Sequence, residues 1–414
     1  MAVIQEAPLA LALQERRIIS TQEESPAQYN IPIGYLRALV TVLVLAHHAV
    51  LAYAPFAPPP PASLVAQPRW WQAFPVVDAQ RWDGFALFAG FNDTFFMSLM
   101  FFLSGLFVWN SLQRKGAAQF LRDRVLRLGL PFAIAVTLVA PLAYYPTYLQ
   151  SGQRGLAGFW HQWFSLGSWP SGPAWFVWLL LAFDCVAAAL FTLMPRWGEV
   201  LGRVLGGASR RPAVFLGLVV AVSAIAYLPM ELVFNGLRWT EFGPFAFQTS
   251  RVLHYFAYFL IAVGIGACGL QKGLLASGGK LAHRWPIWSI AALVIFYVET
   301  VVALAAFTAE SSPRLWETLA SFGFTVSCAA SSLAFLALFV RFAGTPRRIW
   351  NSLRDNAYGM YLIHYAFVSW LQYGFLHTQL SAPVKGVAVF LGTVGLSWIT
   401  VATLKRIHAV ARVI

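Results

Sequence analysis

Apolar runs close to 20 residues long recur from residue 34 to residue 404 of this chain. An α-helix rises about 1.5 Å per residue, so each run is about 30 Å long, the thickness of a bilayer's hydrocarbon core. Inside that layer no water bonds to the backbone, and only helices or closed barrels can span it. The short alternating segments of a membrane barrel are absent from the sequence. What remains is an all-α fold, a polytopic transmembrane helical bundle. Composition agrees: 59% of the 414 residues are hydrophobic and 11% charged, where a soluble chain carries about 25% charged. Cys185, Cys268 and Cys328 all fall within apolar runs, so neither a disulfide framework nor a metal cluster is expected.

Ten spans are expected, at about 34–54, 94–112, 128–148, 173–194, 213–229, 252–270, 287–307, 321–341, 357–376 and 384–404. The connections after the even-numbered spans hold the basic residues, among them Arg114, Arg122, Arg196, Arg210, Lys272, Arg284, Arg347 and Arg354. The connections between them are poor in Lys and Arg, and the 308–320 loop has only Arg314 against Glu310 and Glu317. By the positive-inside rule both termini are expected in the cytoplasm. The same rule accounts for the net charge of +13 without invoking nucleic acid. The expected organisation is a cytoplasmic tail over 1–33, a ten-helix membrane domain over 34–404 and a cytoplasmic tail over 405–414. The "APLALAL" run in the first tail is too short to span and is followed by "QERR", not by a small-residue cleavage site.

The longest connection, 55–93, is expected on the outer face. It carries "PFAPPPPA", Trp70, Trp71, Trp82, Asp78, Asp83 and Asp93. Loops of that length often serve a function. Its tryptophans suit either the stacking of sugar rings or an interfacial aromatic belt.

The first span, "RALVTVLVLAHHAVLAY", keeps three polar groups in an apolar segment. Arg37 and His48 are eleven residues apart, close to three full turns, so they share a face within about 20° and stand roughly 16 Å apart along the axis. His47 points about 80° away from that line. Arg37 alone reads as a snorkelling anchor at the cytoplasmic end. His48 lies deeper, as either an interhelical hydrogen-bonding group or a base able to take a proton from a hydroxyl. Asp93 approaches from the same side, either to orient an imidazole as triad carboxylates do or as a helix N-cap. Arg124 and Arg127, three apart in "RDRVLRLGLPF", are neighbours on one helical face. They suit bidentate phosphate binding, and also ordinary flank charge.

These motifs resemble the membrane acyltransferase 3 family. Its signature is a basic residue, ten intervening residues and a histidine in the first span, here Arg37 to His48, with an R-x-x-R at the third span, here Arg124 and Arg127. "NAYGMYLIHYAF" (356–367) is similar to the family's penultimate span. "NDTFFMSLMFFLSGLF", "PAWFVWLLLAFD" and "FGPFAFQTSRVLHYFAYFL" look like the branch that succinylates periplasmic glucans. The resemblance implies a multi-pass inner-membrane enzyme that moves an acyl group from cytoplasmic acyl-coenzyme A (succinyl- or acetyl-CoA) to a hydroxyl of an envelope glycan. It implies His48 and Asp93 at the reacting centre, and Arg37, Arg124 and Arg127 on the coenzyme A phosphates. No metal is implied, and the partners are membrane lipid, acyl-CoA and the glycan. Trp175, His254, Tyr361 and His364 are expected to contact substrate, the last three also being candidates for the oxyanion donor. The competing reading is a proton-coupled secondary transporter or glycan exporter, with Asp184, Glu299 and His48 as its proton path.

Overall fold

The computed structural model describes residues 30–270, 273–308 and 313–414. Residues 1–29 of the expected N-terminal tail, Lys272 and Glu310 lie outside the described residues. Helix α1 (Ile31–Leu51) starts where Asn30 accepts a hydrogen bond from the Ile33 amide and a proline occupies the first turn. The chain continues through α2 (Asp83–Gly105), α3 (Val108–Gln150), α4 (Leu156–Phe164), α5 (Trp175–Leu193), α6 (Trp197–Ser209) and α7 (Pro212–Phe234). A small antiparallel hairpin follows, β1 (Trp239–Phe242) with β2 (Phe245–Gln248), in the register Trp239 opposite Gln248. The remaining helices are α8 (Val252–Cys268), α9 (Trp285–Thr308), α10 (Pro313–Phe342), α11 (Arg348–Phe375) and α12 (Ala382–Leu404).

The fold is the expected all-α polytopic bundle, and among the described residues nine helical stretches are long and apolar enough to cross a membrane. The expected ninth span is not among them. It corresponds to α11, which is 28 residues long but too polar, because it buries Asn356, His364, Ser369 and Gln372 in the bundle interior.

Two boundaries differ from expectation for physical reasons. Helix α2 begins at Asp83, whose carboxylate complements the helix dipole in the first turn. The outer loop therefore shortens from 55–93 to 52–82. Asn92 and Asp93 become mid-helix residues, which removes the N-cap reading of Asp93. The chain then breaks after Gly105, earlier than the expected end at 112. There α2 meets α8 so closely that a Cβ on Gly105 would lie 2.4 Å from the Phe259 carbonyl oxygen, and one on Gly266 would lie 2.1 Å from that of Leu106. In α3 a kink at Gly116 (φ 73°) and two π turns, Val125–Gly129 and Ala135–Val139, interrupt an otherwise continuous helix.

Helix α2 is the hub, packed against α1, α8 and α10 through buried Phe95, Phe101 and Leu103. Helix α9 is peripheral, with 6% of its apolar stretch buried, and shows Ile290, Leu293, Val298 and Leu304 outward as a lipid-facing helix does.

The α2–α8 contact yields a prediction. Gly266→Val is expected to lower stability in detergent by about 3 kcal/mol, the upper end for overpacking, because the obstacle is backbone. Gly207→Ala in α6, where a Cβ meets nothing within 4 Å, is expected to be neutral or stabilising by under about 1 kcal/mol. Thermal melting followed by size exclusion tests the pair.

Candidate active site

A cavity of about 1100 Å³ lies between the 52–82 loop and the β1–β2 hairpin and reaches into the bundle alongside His47 and His48. Its deepest residues on α1 and α2 are Val44 and Met97. Aromatic rings supply much of its wall, including Trp70, Phe96, Tyr144, Trp175, Trp239, Tyr255, Tyr361 and Tyr365, with Asp93, Glu231, Glu241, Arg69 and Arg251 as its charged members.

The loop above the cavity is tied down through its main chain. Tyr144 Oη and Tyr365 Oη both donate to the Gln72 carbonyl, at 2.7 and 3.0 Å. Thr147 donates to Pro75 O at 2.6 Å, and Gln150 bonds Val77 through both its amide atoms. Arg69 donates to Leu166 O and Ser168 Oγ. Lys385 at the start of α12 pairs with Asp78 at 2.8 Å, both side chains almost fully covered. Of the three loop tryptophans that suited either sugar stacking or an aromatic belt, Trp70 lines the cavity, Trp71 is buried with its indole on Leu64 O, and Trp82 packs edge-on against Phe85.

His48 sits in the cavity wall one turn from Val44. Its Nδ1 lies 2.9 Å from Val44 O and 3.2 Å from His364 Nε2. Nδ1 of His364 is in turn 2.6 Å from Tyr361 O. Carbonyl oxygens only accept, so each neutral ring carries its proton on Nδ1. The Nδ1 proton of His48 is shared between Val44 O and the His364 lone pair, leaving Nε2 as the nitrogen available to a substrate. Tyr365 packs edge-on against the His48 ring at 5.1 Å. Gln372 donates to His48 O and Ala49 O, capping orphan carbonyls at the end of α1.

Asp93 was expected to orient an imidazole. Its carboxylate instead receives a 2.7 Å hydrogen bond from Arg251 Nη2, and its main-chain oxygen takes a second from Nη1. Arg251 also lies over the Phe324 ring, 4.7 Å from its centroid. The pair is asymmetric: the Arg251 side chain is 11% accessible, whereas Asp93 is 46% accessible. Arg251 is the residue that sequence reasoning missed, although its position carried a signal. It stands at the end of an apolar span that the positive-inside rule expects on the outer face, where an arginine is unusual.

The three expected phosphate ligands lie away from the cavity mouth. Arg37 donates to Leu103 O at the far end of α2 and lies over Phe107. It is about 10 Å beyond Val44 along α1. Arg124 pairs with buried Asp184 at 3.2 Å, a carboxylate about 13 Å beyond Trp175 along α5. Arg127 is exposed, and its carbonyl accepts from Tyr358 Oη. The cavity does not extend to Arg37, Arg124 or Arg127, so the expected channel beside α1 is not continuous with it. Of the expected substrate contacts, Trp175 and Tyr361 line the cavity, and Tyr361 Oη donates to Pro173 O. His254 and His364 do not line it. His254 is fully buried beside Ser98 and Cys328, and His364 is fully buried behind His48.

Residues 30–402 match the acyltransferase 3 family model, described as an acyltransferase domain. The chain belongs to that family and is a multi-pass membrane acyltransferase. No curated protein and no solved structure matches it. Membership sets aside the transporter reading. Of that reading's proton path, Asp184 is held by Arg124 and Glu299 sits on peripheral α9.

Because Arg251 is the more buried partner, Asp93→Ala is expected to destabilise more than Arg251→Ala. Since the Asp93 carboxylate is half exposed to the cavity, the expected loss for Asp93→Ala is about 1–2 kcal/mol, below the range for a fully buried pair. The double variant is expected to recover part of it, which melting of the three proteins checks.

Proposed function

We propose that the protein transfers an acyl group, succinyl or acetyl, from cytoplasmic acyl-CoA to a hydroxyl of an envelope glycan, with His48 as the general base. The observation that carries this reading is the commitment of His48 Nδ1 to Val44 O and His364, which leaves Nε2 for a substrate in the wall of an aromatic cavity. A hydroxyl gives its proton to Nε2 as its oxygen attacks the thioester carbon. The C–S bond then breaks, and the leaving thiolate takes that proton back. Faces such as Trp70, Trp175 and Trp239 suit the apolar sides of sugar rings, and Glu231, Glu241 and Gln248 in the same wall accept from hydroxyls.

The donor side rests on charge and reach. Arg37 and Arg124 both lie beyond the cavity, and the coenzyme A phosphates would be held there by charge-assisted bonds. Arg124 then exchanges Asp184 for phosphate, or bridges the two. An arm of about 16 Å reaches from Arg37 to His48, comparable to the flexible arm of coenzyme A. The thioester would meet the glycan at the cavity floor. In this reading the arginine end and both chain termini face the cytoplasm across the inner membrane, a direction that the basic connections favour. The stretches similar to the glucan-succinylating branch favour succinyl on a glucan, and mass spectrometry of envelope glycans with and without the protein reads the added mass directly.

The deciding experiment is transfer from radiolabelled acyl-CoA to glycan in proteoliposomes. His48→Gln is expected to cut the rate by about 10²- to 10⁴-fold, the usual worth of a general base, at an unchanged melting temperature. Undiminished transfer would remove His48 from the reaction. For the donor site, Arg127→Ala is expected to raise KM for acyl-CoA about fivefold or more, the loss of roughly 1 kcal/mol of charge-assisted binding. Its side chain is exposed, so stability should hold.

A further inference from the structure

We infer that His364 is the positioning residue for His48, filling with a neutral imidazole the place that a carboxylate holds in a catalytic triad. The inference rests on His48 being the base. Distance and burial carry it. His364 is fully buried and outside the cavity wall, so it touches His48 and not the substrate. Its Nδ1–H is fixed on Tyr361 O at 2.6 Å, which forces the lone pair onto Nε2, 3.2 Å from His48 Nδ1. That lone pair can only accept, and so it holds His48 in the tautomer with Nε2 unprotonated.

When His48 takes the hydroxyl proton on Nε2, the imidazolium presents its Nδ1–H to that same lone pair and to Val44 O. In this step the O–H bond breaks while the N–H bond on Nε2 and the new C–O bond form, and the proton leaves His48 again for the thiolate as the C–S bond breaks. The nearby carboxylate that might have taken the role, Asp93, is held by Arg251. A neutral partner has a physical advantage at this depth. A carboxylate buried behind His48 would be an uncompensated charge whenever His48 is neutral. An imidazole costs no such charge, yet still orients the ring and accepts from its protonated form.

The test separates the two nitrogens of His364. In His364→Gln the side-chain amide reaches the position of Nε2 and offers an oxygen to His48. In His364→Asn it reaches only the position of Nδ1, keeping the bond to Tyr361 and leaving His48 without its acceptor. Both are polar and small enough to fold. His364→Asn is expected to lower kcat about 100-fold, within the range for general-base catalysis, with KM for acyl-CoA and for glycan unchanged. His364→Gln is expected to retain at least about tenfold more of kcat than His364→Asn. Equal kcat in the two variants, or a change confined to KM, would overturn the positioning role. The His48→Gln protein run alongside keeps the two ideas apart. If it retains full transfer, the base assignment fails; if it is inactive while His364→Asn matches wild type, only the role of His364 fails.

Discussion

Helices α1 and α11 meet along a seam that is polar at both ends and apolar between. At one end Tyr35 Oη donates to Asn351 and accepts from the Arg347 amide, at 2.6 and 2.8 Å. At the other, His364 and Gln372 hold the ring and the carbonyl of His48. Leu45 and Met360 pack together in the middle, against Val401 of α12. In hydrocarbon a polar side chain without a partner is costly, so each end of the seam fixes the register of the two helices. Everything that the site needs of His48 follows from that register: which nitrogen faces the cavity, and what stands behind the ring.

The cavity depends on a second kind of restraint. Its roof is a loop whose carbonyls are bonded by side chains rising from the bundle, and whose Asp78 is locked to Lys385 away from solvent. Such a pair is little weakened by salt, since screening acts on exposed charges. The loop's own side chains hold it as well, with Arg81 donating to Ala52 O and Trp71 to Leu64 O. The roof and the hairpin opposite it confine a volume rich in aromatic rings.

Much of this was legible in the sequence, and the parts that were not share a reason. Apolar run length gave the all-α bundle, and the eleven-residue spacing singled out Arg37 and His48. The helical period set His47 apart from the site, but in the structure both histidines line the cavity, and what distinguishes His48 is its contact with His364 of α11. The partner of His48 could not be read, since His364 lies 316 residues away and no helical period connects different helices. Asp93 was assigned to an imidazole because both approach from one side, but proximity along the axis does not say which neighbour wins. An arginine standing just before α8 competes better for a carboxylate than a neutral ring does. The polarity of α11, which hides it from a hydropathy count, comes in part from His364 and Gln372, which hold His48. The β1–β2 hairpin went unread because its four-residue strands carry too little pattern to separate from a loop.

The two π turns of α3 have a consequence of their own. A wide turn leaves one carbonyl without its partner inside the helix, and here the carbonyls of Arg127 and Val136, one in each turn, are taken up by Tyr358 and by the indole of Trp169. The bond comes from the backbone of α3, so the identity of the side chains at 125–139 does not enter it. This helix can therefore drift in sequence over evolutionary time and still carry its arginines at a constant distance from α11, provided that the tyrosine and the tryptophan facing it stay in place.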